Sequence, residues 1–140
     1  MWMPERSEDW MRQADRDLRA AEEMLRAGFF EWACFMAQQA SEKAVKAVLQ
    51  RLGAVAWGHS VFDLLRILAN RLEVSDEILD YARTLDRYYI PSRYPNSFES
   101  GSPYEYFNRR DAEDAIVCAG RILGFCKGIL ARSDRTGRGA

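Results

Sequence analysis

Alanine recurs along one stretch of this chain at positions 33, 37, 40, 44 and 47, embedded in Phe29-Phe30-Glu31-Trp32-Ala33-Cys34-Phe35-Met36 and Ala37-Gln38-Gln39-Ala40-Ser41-Glu42-Lys43-Ala44-Val45-Lys46-Ala47. On a 3.6-residue period those alanines fall on one narrow stripe. Side chains that small let a second helix backbone approach closely. Phe30, Trp32, Phe35, Met36, Val48, Leu49 and Leu52 supply bulk on the flanks. The stripe therefore commits the chain to close helix–helix packing. Off it, Gln39, Lys43, Lys46 and Gln50 form a polar file with two cations.

The 140 residues are enough for one domain with a real core, without disulfides or metal. The formal net charge of −1 and pI near 5.9 provide no global basic field, so any phosphate binding must be local. The N-terminus turns acidic at Glu5, Glu8 and Asp9 and carries no apolar run, unlike a signal peptide. No apolar run approaches the roughly 18 residues of a membrane span, and the chain reads as cytoplasmic with no membrane association. Cys34, Cys118, Cys126 and the single histidine, His59, fit no metal-ligand spacing; each cysteine lies in an apolar helical pattern and reads as a small buried hydrophobe. No metal or cofactor is implied.

The periodicity predicts an all-α antiparallel bundle of about five helices, one domain over residues 7–132 with a disordered polar tail at 133–140. Helix 1 runs from Ser7, as N-cap, to Ala27, with Trp10, Ala14, Leu18, Ala21 and Leu25 inward and Gly28 as the stop. Helix 2 follows almost at once and ends near Gly53, so the two form a hairpin. Ser60 caps helix 3, with Asp63 in a variant capping box, and Ser75 caps helix 4, which continues to Pro91. Residues 92–108 read as a long irregular loop, and a last helix begins near Asn108.

Enzyme motifs are missing from the sequence: no glycine-rich phosphate loop follows a strand, and no nucleophile stands beside a matched base. The chemistry-bearing run is Leu85-Asp86-Arg87-Tyr88-Tyr89-Ile90-Pro91-Ser92-Arg93-Tyr94-Pro95-Asn96. Arginine holds phosphate bidentately, tyrosine offers a flat face to a base, and proline stiffens the loop. The alternative is structural: the tyrosines cover an open end of the bundle, and Arg93 neutralises Asp86 or a helix C-terminus. Lys43 and Lys46 face the same choice, since Lys46 can pair with Glu42 one turn earlier for about 0.2–0.5 kcal/mol.

The string from Ala37 to Ala47 resembles the second-helix signature of the HEPN family, roughly A-Q-Q-A-x-E-K-A-x-K-A. The resemblance extends to Ala14-x-x-Asp17-Leu18-x-x-Ala21, to Gly58-His59-Ser60-Val61-Phe62-Asp63-Leu64-Leu65, and to Leu85-Asp86-x-x-Tyr89-Ile90-Pro91-Ser92-Arg93-Tyr94-Pro95. It implies a bundle of about five helices that forms a homodimer and is often encoded beside a minimal nucleotidyltransferase. Nucleotide binding was the family's first proposed role, and many members are toxin ribonucleases using Arg-x4-6-His. In this chain Arg93 takes the arginine position, but Tyr94 to Ser100 contains no histidine. His59 matches a different family position, where capping or loop hydrogen bonding is its expected work.

The reading is thus a non-catalytic nucleotide- or RNA-phosphate-binding and interaction module, partnered with a nucleotidyltransferase in a toxin–antitoxin-like pair. Its candidate binding residues are Lys43, Lys46, His59, Asp86, Tyr89, Arg93 and Tyr94. The alternative is a divergent ribonuclease toxin that uses Arg93 without the usual histidine.

Overall fold

A computed structural model describes the backbone of residues 5–54 and 56–138, and within these the side chains up to residue 133. Its helices are α1 (Ser7–Ala27), α2 (Phe30–Arg51), α3 (Val61–Leu68), α4 (Asp76–Asp86), α5 (Pro103–Tyr106) and α6 (Arg109–Arg138), with a 3-10 turn at Pro95–Ser97. No strand occurs among the described residues. α2 is the central element and touches each of the other five helices. Its alanine stripe is the reason: Ala33, Ala37, Ala40, Ala44 and Ala47 are all fully buried. Close backbone approach on this stripe lets α1 and α6 lie along α2.

The α1–α2 hairpin turns at Gly28, whose φ of 88° is left-handed and open to glycine at little cost. The Gly28 and Phe29 amides donate to the carbonyls of Leu25 and Met24, which closes the helix end. Met11, Ala14 and Ala21 form the inner face of α1, with Trp10, Leu18 and Leu25 half-buried beside it. Ser7 is not the N-cap expected of it. Arg6 holds that position, and Ser7 lies buried inside the first turn, where its Oγ accepts the Arg51 Nε–H at 3.0 Å.

Ser60 caps α3 as expected, accepting the Asp63 amide at 3.0 Å. The other half of that cap comes from outside: Asp86, the last residue of α4, takes the next free amides of α3. Ser75 caps α4 through the Ile78 amide at 3.2 Å. α4 does not reach Pro91. It ends at Asp86, and Tyr88 and Tyr89 donate instead to carbonyls three residues back, at 2.9 and 3.3 Å. The chain then runs as consecutive turns through Arg93.

The segment expected to be irregular contains a helical turn, α5, held by a capping box in which the Ser102 amide donates to Glu105 Oε1 at 2.9 Å. Phe98 stacks on Tyr106 with centroids 4.0 Å apart, and Phe107 meets both Phe98 and Tyr88 edge-on. These contacts bind the loop to the end of the bundle. α6 opens with a reciprocal pair, each amide of Asn108 and Asp111 donating to the other's side chain at 2.9 Å. Its backbone stays helical to Arg138, past Ser133 where a disordered tail was expected; residues 139–140 of that tail lie outside the described residues. Cys34, Cys118 and Cys126 are all buried and free. None of the described helices is long and apolar enough to cross a membrane.

Candidate phosphate-binding face

One edge of α2 organises the site. Phe35, Gln38, Gln39, Glu42 and Lys46 recur at helical spacing on it. Gln38 is fully buried, and its Nε2 donates to the His59 carbonyl at 2.7 Å and to Asp86 Oδ1 at 3.3 Å. One amide therefore ties the loop before α3 to the end of α4. Gln39 Nε2 in turn donates to Gln38 Oε1 at 2.8 Å and to Glu42 Oε1 at 3.3 Å. No buried polar side-chain atom among the described residues is left without a partner.

Glu42 is only 4% exposed and, besides the Gln39 amide, carries two more partners. Lys46 Nζ approaches its Oε2 at 3.0 Å, and His59 Nδ1 lies 3.3 Å from both carboxylate oxygens. A carboxylate that has lost its water requires such company. The Glu42–Lys46 pair is accordingly more than the exposed helix-surface pair the sequence implies. The His59 side chain remains 60% exposed, with its ring stacked on Tyr89 at 5.2 Å and 15° between planes.

Arg93 continues the same face. Its guanidinium carbon lies 4.3 Å from the centroid of Phe35, 4.6 Å from Tyr89 and 4.9 Å from Tyr94. Its Nε donates to the Tyr89 carbonyl at 3.0 Å. Among the described residues no carboxylate pairs with it, so Arg93 does not neutralise Asp86. Stacked aromatic faces hold the planar cation through its ring-facing surface and leave the terminal nitrogens free for an anion.

The structure sorts the seven expected residues. Tyr89, Arg93, Tyr94 and His59 form one cluster, and Lys46 joins it through Glu42. Asp86 belongs to the scaffold: its two oxygens accept the amides of Val61 and Phe62 and the Ser60 hydroxyl at 2.9–3.0 Å, so it is not available to a ligand. A carboxylate beside a phosphate would also repel it, whereas at a helix N-terminus it meets unpaired N–H groups and a favourable dipole. Lys43 is elsewhere, paired with Asp17 across the α1–α2 hairpin. Phe35, Gln38 and Glu42 were missed by sequence reasoning. The signal was present in Gln38, Ser41 and Glu42, polar residues set between the alanines of a stripe destined for burial. No cluster of His, Cys, Asp and Glu able to hold a metal exists among the described residues.

These features define a class: a small all-α bundle whose central alanine-striped helix carries a cation–aromatic face completed by the α2–α3 and α4–α5 connections. The chain belongs to the HEPN family, whose HEPN domain model matches residues 7–129. The similarity covers nearly the whole of several solved structures. It is 41% identical to the TT1696 protein of Thermus thermophilus, with a TM-score of 0.87 over 90% of this chain and 99% of that one. An archaeal HEPN homologue, ST0689, is 46% identical, with a TM-score of 0.77 over 90% and 98% of the two chains. The HEPN domain protein TM0613 of Thermotoga maritima is 44% identical, with a TM-score of 0.73 over 89% and 98%. A protein of Methanocaldococcus jannaschii named "Putative toxin MJ1304" is 26% identical over 130 residues, 86% of each chain.

Proposed function

We propose that this chain is a phosphate-binding interaction module whose ligand is a nucleotide or a phosphate of RNA. The observation that carries the reading is Arg93, a half-buried guanidinium braced by aromatic rings and a carbonyl, with no carboxylate partner among the described residues. A bidentate oxyanion is the natural complement of that group. Tyr94 and His59 offer flat faces at the same surface for a base or sugar. Lys46 adds a second cation further along α2.

As an interaction module the chain forms a homodimer through spare helical faces and pairs with a minimal nucleotidyltransferase in a toxin–antitoxin-like system. The name of the M. jannaschii relative supports the toxin side of that pairing. Exposed apolar residues such as Val117 on α6, Trp32 and Trp57 supply surface for such contacts. Titration of purified protein with ATP and with single-stranded RNA, beside Arg93→Ala, tests the binding. Light scattering tests the dimer, and a monomer of about 16 kDa at micromolar concentration overturns it.

One observation favours a second reading, a divergent ribonuclease toxin. His59 is held at Nδ1 by the buried carboxylate of Glu42, an arrangement that orients a ring for proton transfer at its other nitrogen. Such an enzyme would place Arg93 on the phosphate and leave proton movement to His59.

A further inference from the structure

Trp10 stands between two cavities of opposite character. On one side, about 530 Å³ is lined by Arg6, Asp9, Arg12, Gln13 and Lys43 together with Trp10. On the other, about 460 Å³ is lined mainly by apolar groups, among them Leu49, Ala54, Ala56 and the indoles of Trp10 and Trp57, with Lys46 at its edge. The two are joined behind Trp10 by Gln50, which lines the apolar cavity and accepts the Arg6 backbone N–H at 3.1 Å.

The charge in the polar cavity is unbalanced. Arg6 and Arg12 share one carboxylate, Asp9, with Arg6 Nε 2.9 Å from Oδ2. Lys43 leans on Asp17, which is only 4% exposed and lies behind it. Three cations therefore line a space into which one accessible carboxylate, Asp9, projects. In the other cavity, Trp57 is 86% exposed, a large apolar ring held in water. Lys46 Nζ sits 5.9 Å from the Trp10 centroid, at the boundary.

We infer that the paired cavities are a ligand site for a nucleoside phosphate, the base lying against Trp10 and Trp57 and the phosphate reaching Arg6, Arg12 and Lys43. A stacked base accounts for the two indoles, and an added phosphate meets the positive charge left over where Arg6 and Arg12 share the single carboxylate of Asp9. The site is separate from Arg93: Phe35, beneath Arg93, and Leu49, in the apolar cavity, are about 21 Å apart along the α2 axis. It therefore does not rest on the function proposed above, and the two can fail independently. It also gives Lys43, which the fold removes from the Arg93 cluster, a ligand of its own.

Indole N–H signals in a ¹⁵N-labelled protein separate the sites, because Trp10 and Trp57 line these cavities while Trp32 meets Phe35 edge-on at 6.1 Å beside Arg93. Adenosine monophosphate, adenosine, inorganic phosphate and a short single-stranded oligoribonucleotide are the probes. The expected result is that the monophosphate or the oligonucleotide shifts Trp10 and Trp57, and the tighter of the two identifies a free nucleotide or an RNA residue as the source. Trp57→Ala weakens that binding by about tenfold or more. Arg12→Gln weakens the monophosphate as read at Trp10 and Trp57 and leaves adenosine unchanged, whereas Arg93→Ala alters only the response at Trp32. The inference is overturned if neither phosphate-bearing probe moves both indoles at millimolar concentration, or if Trp57→Ala binds as the parent does. It is equally overturned if Arg93→Ala abolishes the Trp10 and Trp57 shifts.

Discussion

The carboxylate of Asp86 closes the first turn of α3 by accepting the amide of Val61 at 2.9 Å, across 25 residues of sequence. The same side chain takes the Phe62 amide, the Ser60 hydroxyl and the Gln38 side-chain amide, so α2, α3 and α4 converge on one anion. The turn that follows Asp86 carries Tyr89 and Arg93, and the loop preceding α3 carries His59. Asp86 is thus the fixed point from which both halves of the candidate phosphate-binding face are hung.

Asp86→Ala is expected to cost about 2–4 kcal/mol, because it removes a helix cap and leaves buried donors without acceptors. Asp86→Asn keeps one acceptor and costs less. Denaturant unfolding measures both, and an Asp86→Ala protein as stable as the parent would mean that water replaces the carboxylate. Ligand affinity should fall with stability in this series, in contrast to the variants at Arg93.

Much of this arrangement could be read from the residues, and the unread part has physical causes. The alanine stripe of α2, the Gly28 stop and the Ser60 and Ser75 caps depend on neighbours within a few positions, so local chemistry specifies them. Asp86 was misread because its partners, Val61 and Phe62, are remote in sequence and backbone amides carry no sequence signature. α5 was overlooked because four residues make a single turn, too short for any periodicity. Trp10, Leu18 and Leu25 were placed inside by their hydrophobicity, yet the close approach of α1 to α2 leaves room there for Ala14 and Ala21. Burial of Glu42 was invisible for a related reason: it depends on His59 and Lys46 enclosing it.

Arg93→Ala is expected to leave the fold intact and weaken binding of a nucleotide or RNA phosphate. A lost charged hydrogen bond costs about 1.5–3 kcal/mol, or roughly 10- to 150-fold in affinity. Arg93→Lys keeps the charge but loses the planar stack on Phe35, Tyr89 and Tyr94, so it should recover only part of that loss. Calorimetric titration with thermal unfolding as a companion measurement separates the outcomes. If Arg93→Ala unfolds, Arg93 is a structural plug for the end of the bundle.

Stability should decline in alkali. Burial pushes the Cys34 thiol up to about 12, with Asp111, Glu31 and Asp114 adding to it, and burial raises Cys118 and Cys126 as well. Tyr88 is likewise pushed up to about 12, chiefly by burial. The folded state therefore holds protons that the unfolded chain releases from about pH 9 upward. Their contribution is complete below that pH and is lost as pH climbs toward 12. Unfolding curves at pH 8, 10 and 11 should show falling midpoints, and a flat profile would contradict the buried placement. The native protein should also react slowly with a thiol reagent at pH 8, and completely once denatured.

The isolated protein is expected to show no appreciable metal-independent ribonuclease activity. Positioned acid–base groups contribute about 10²–10⁴-fold each, and a histidine is suited to the task near neutral pH. Arginine stays protonated and cannot serve as base, and the residues after Arg93 supply no histidine. His59 is the remaining candidate. Its Nδ1 is engaged by Glu42, and one flat face is covered by Tyr89, so a substrate would have to meet its outer edge while its phosphate reached Arg93. Incubation with single-stranded and structured RNA in EDTA, beside Arg93→Ala, His59→Ala and Glu42→Gln, decides the matter. Cleavage that disappears in both the Arg93 and His59 variants would replace the binding-module reading with the ribonuclease one. A fall in the rate of Glu42→Gln, with a shifted pH profile, would then mark Glu42 as the residue that positions the histidine. Intact RNA in every lane, together with phosphate-dependent binding at Arg93, is the outcome expected here.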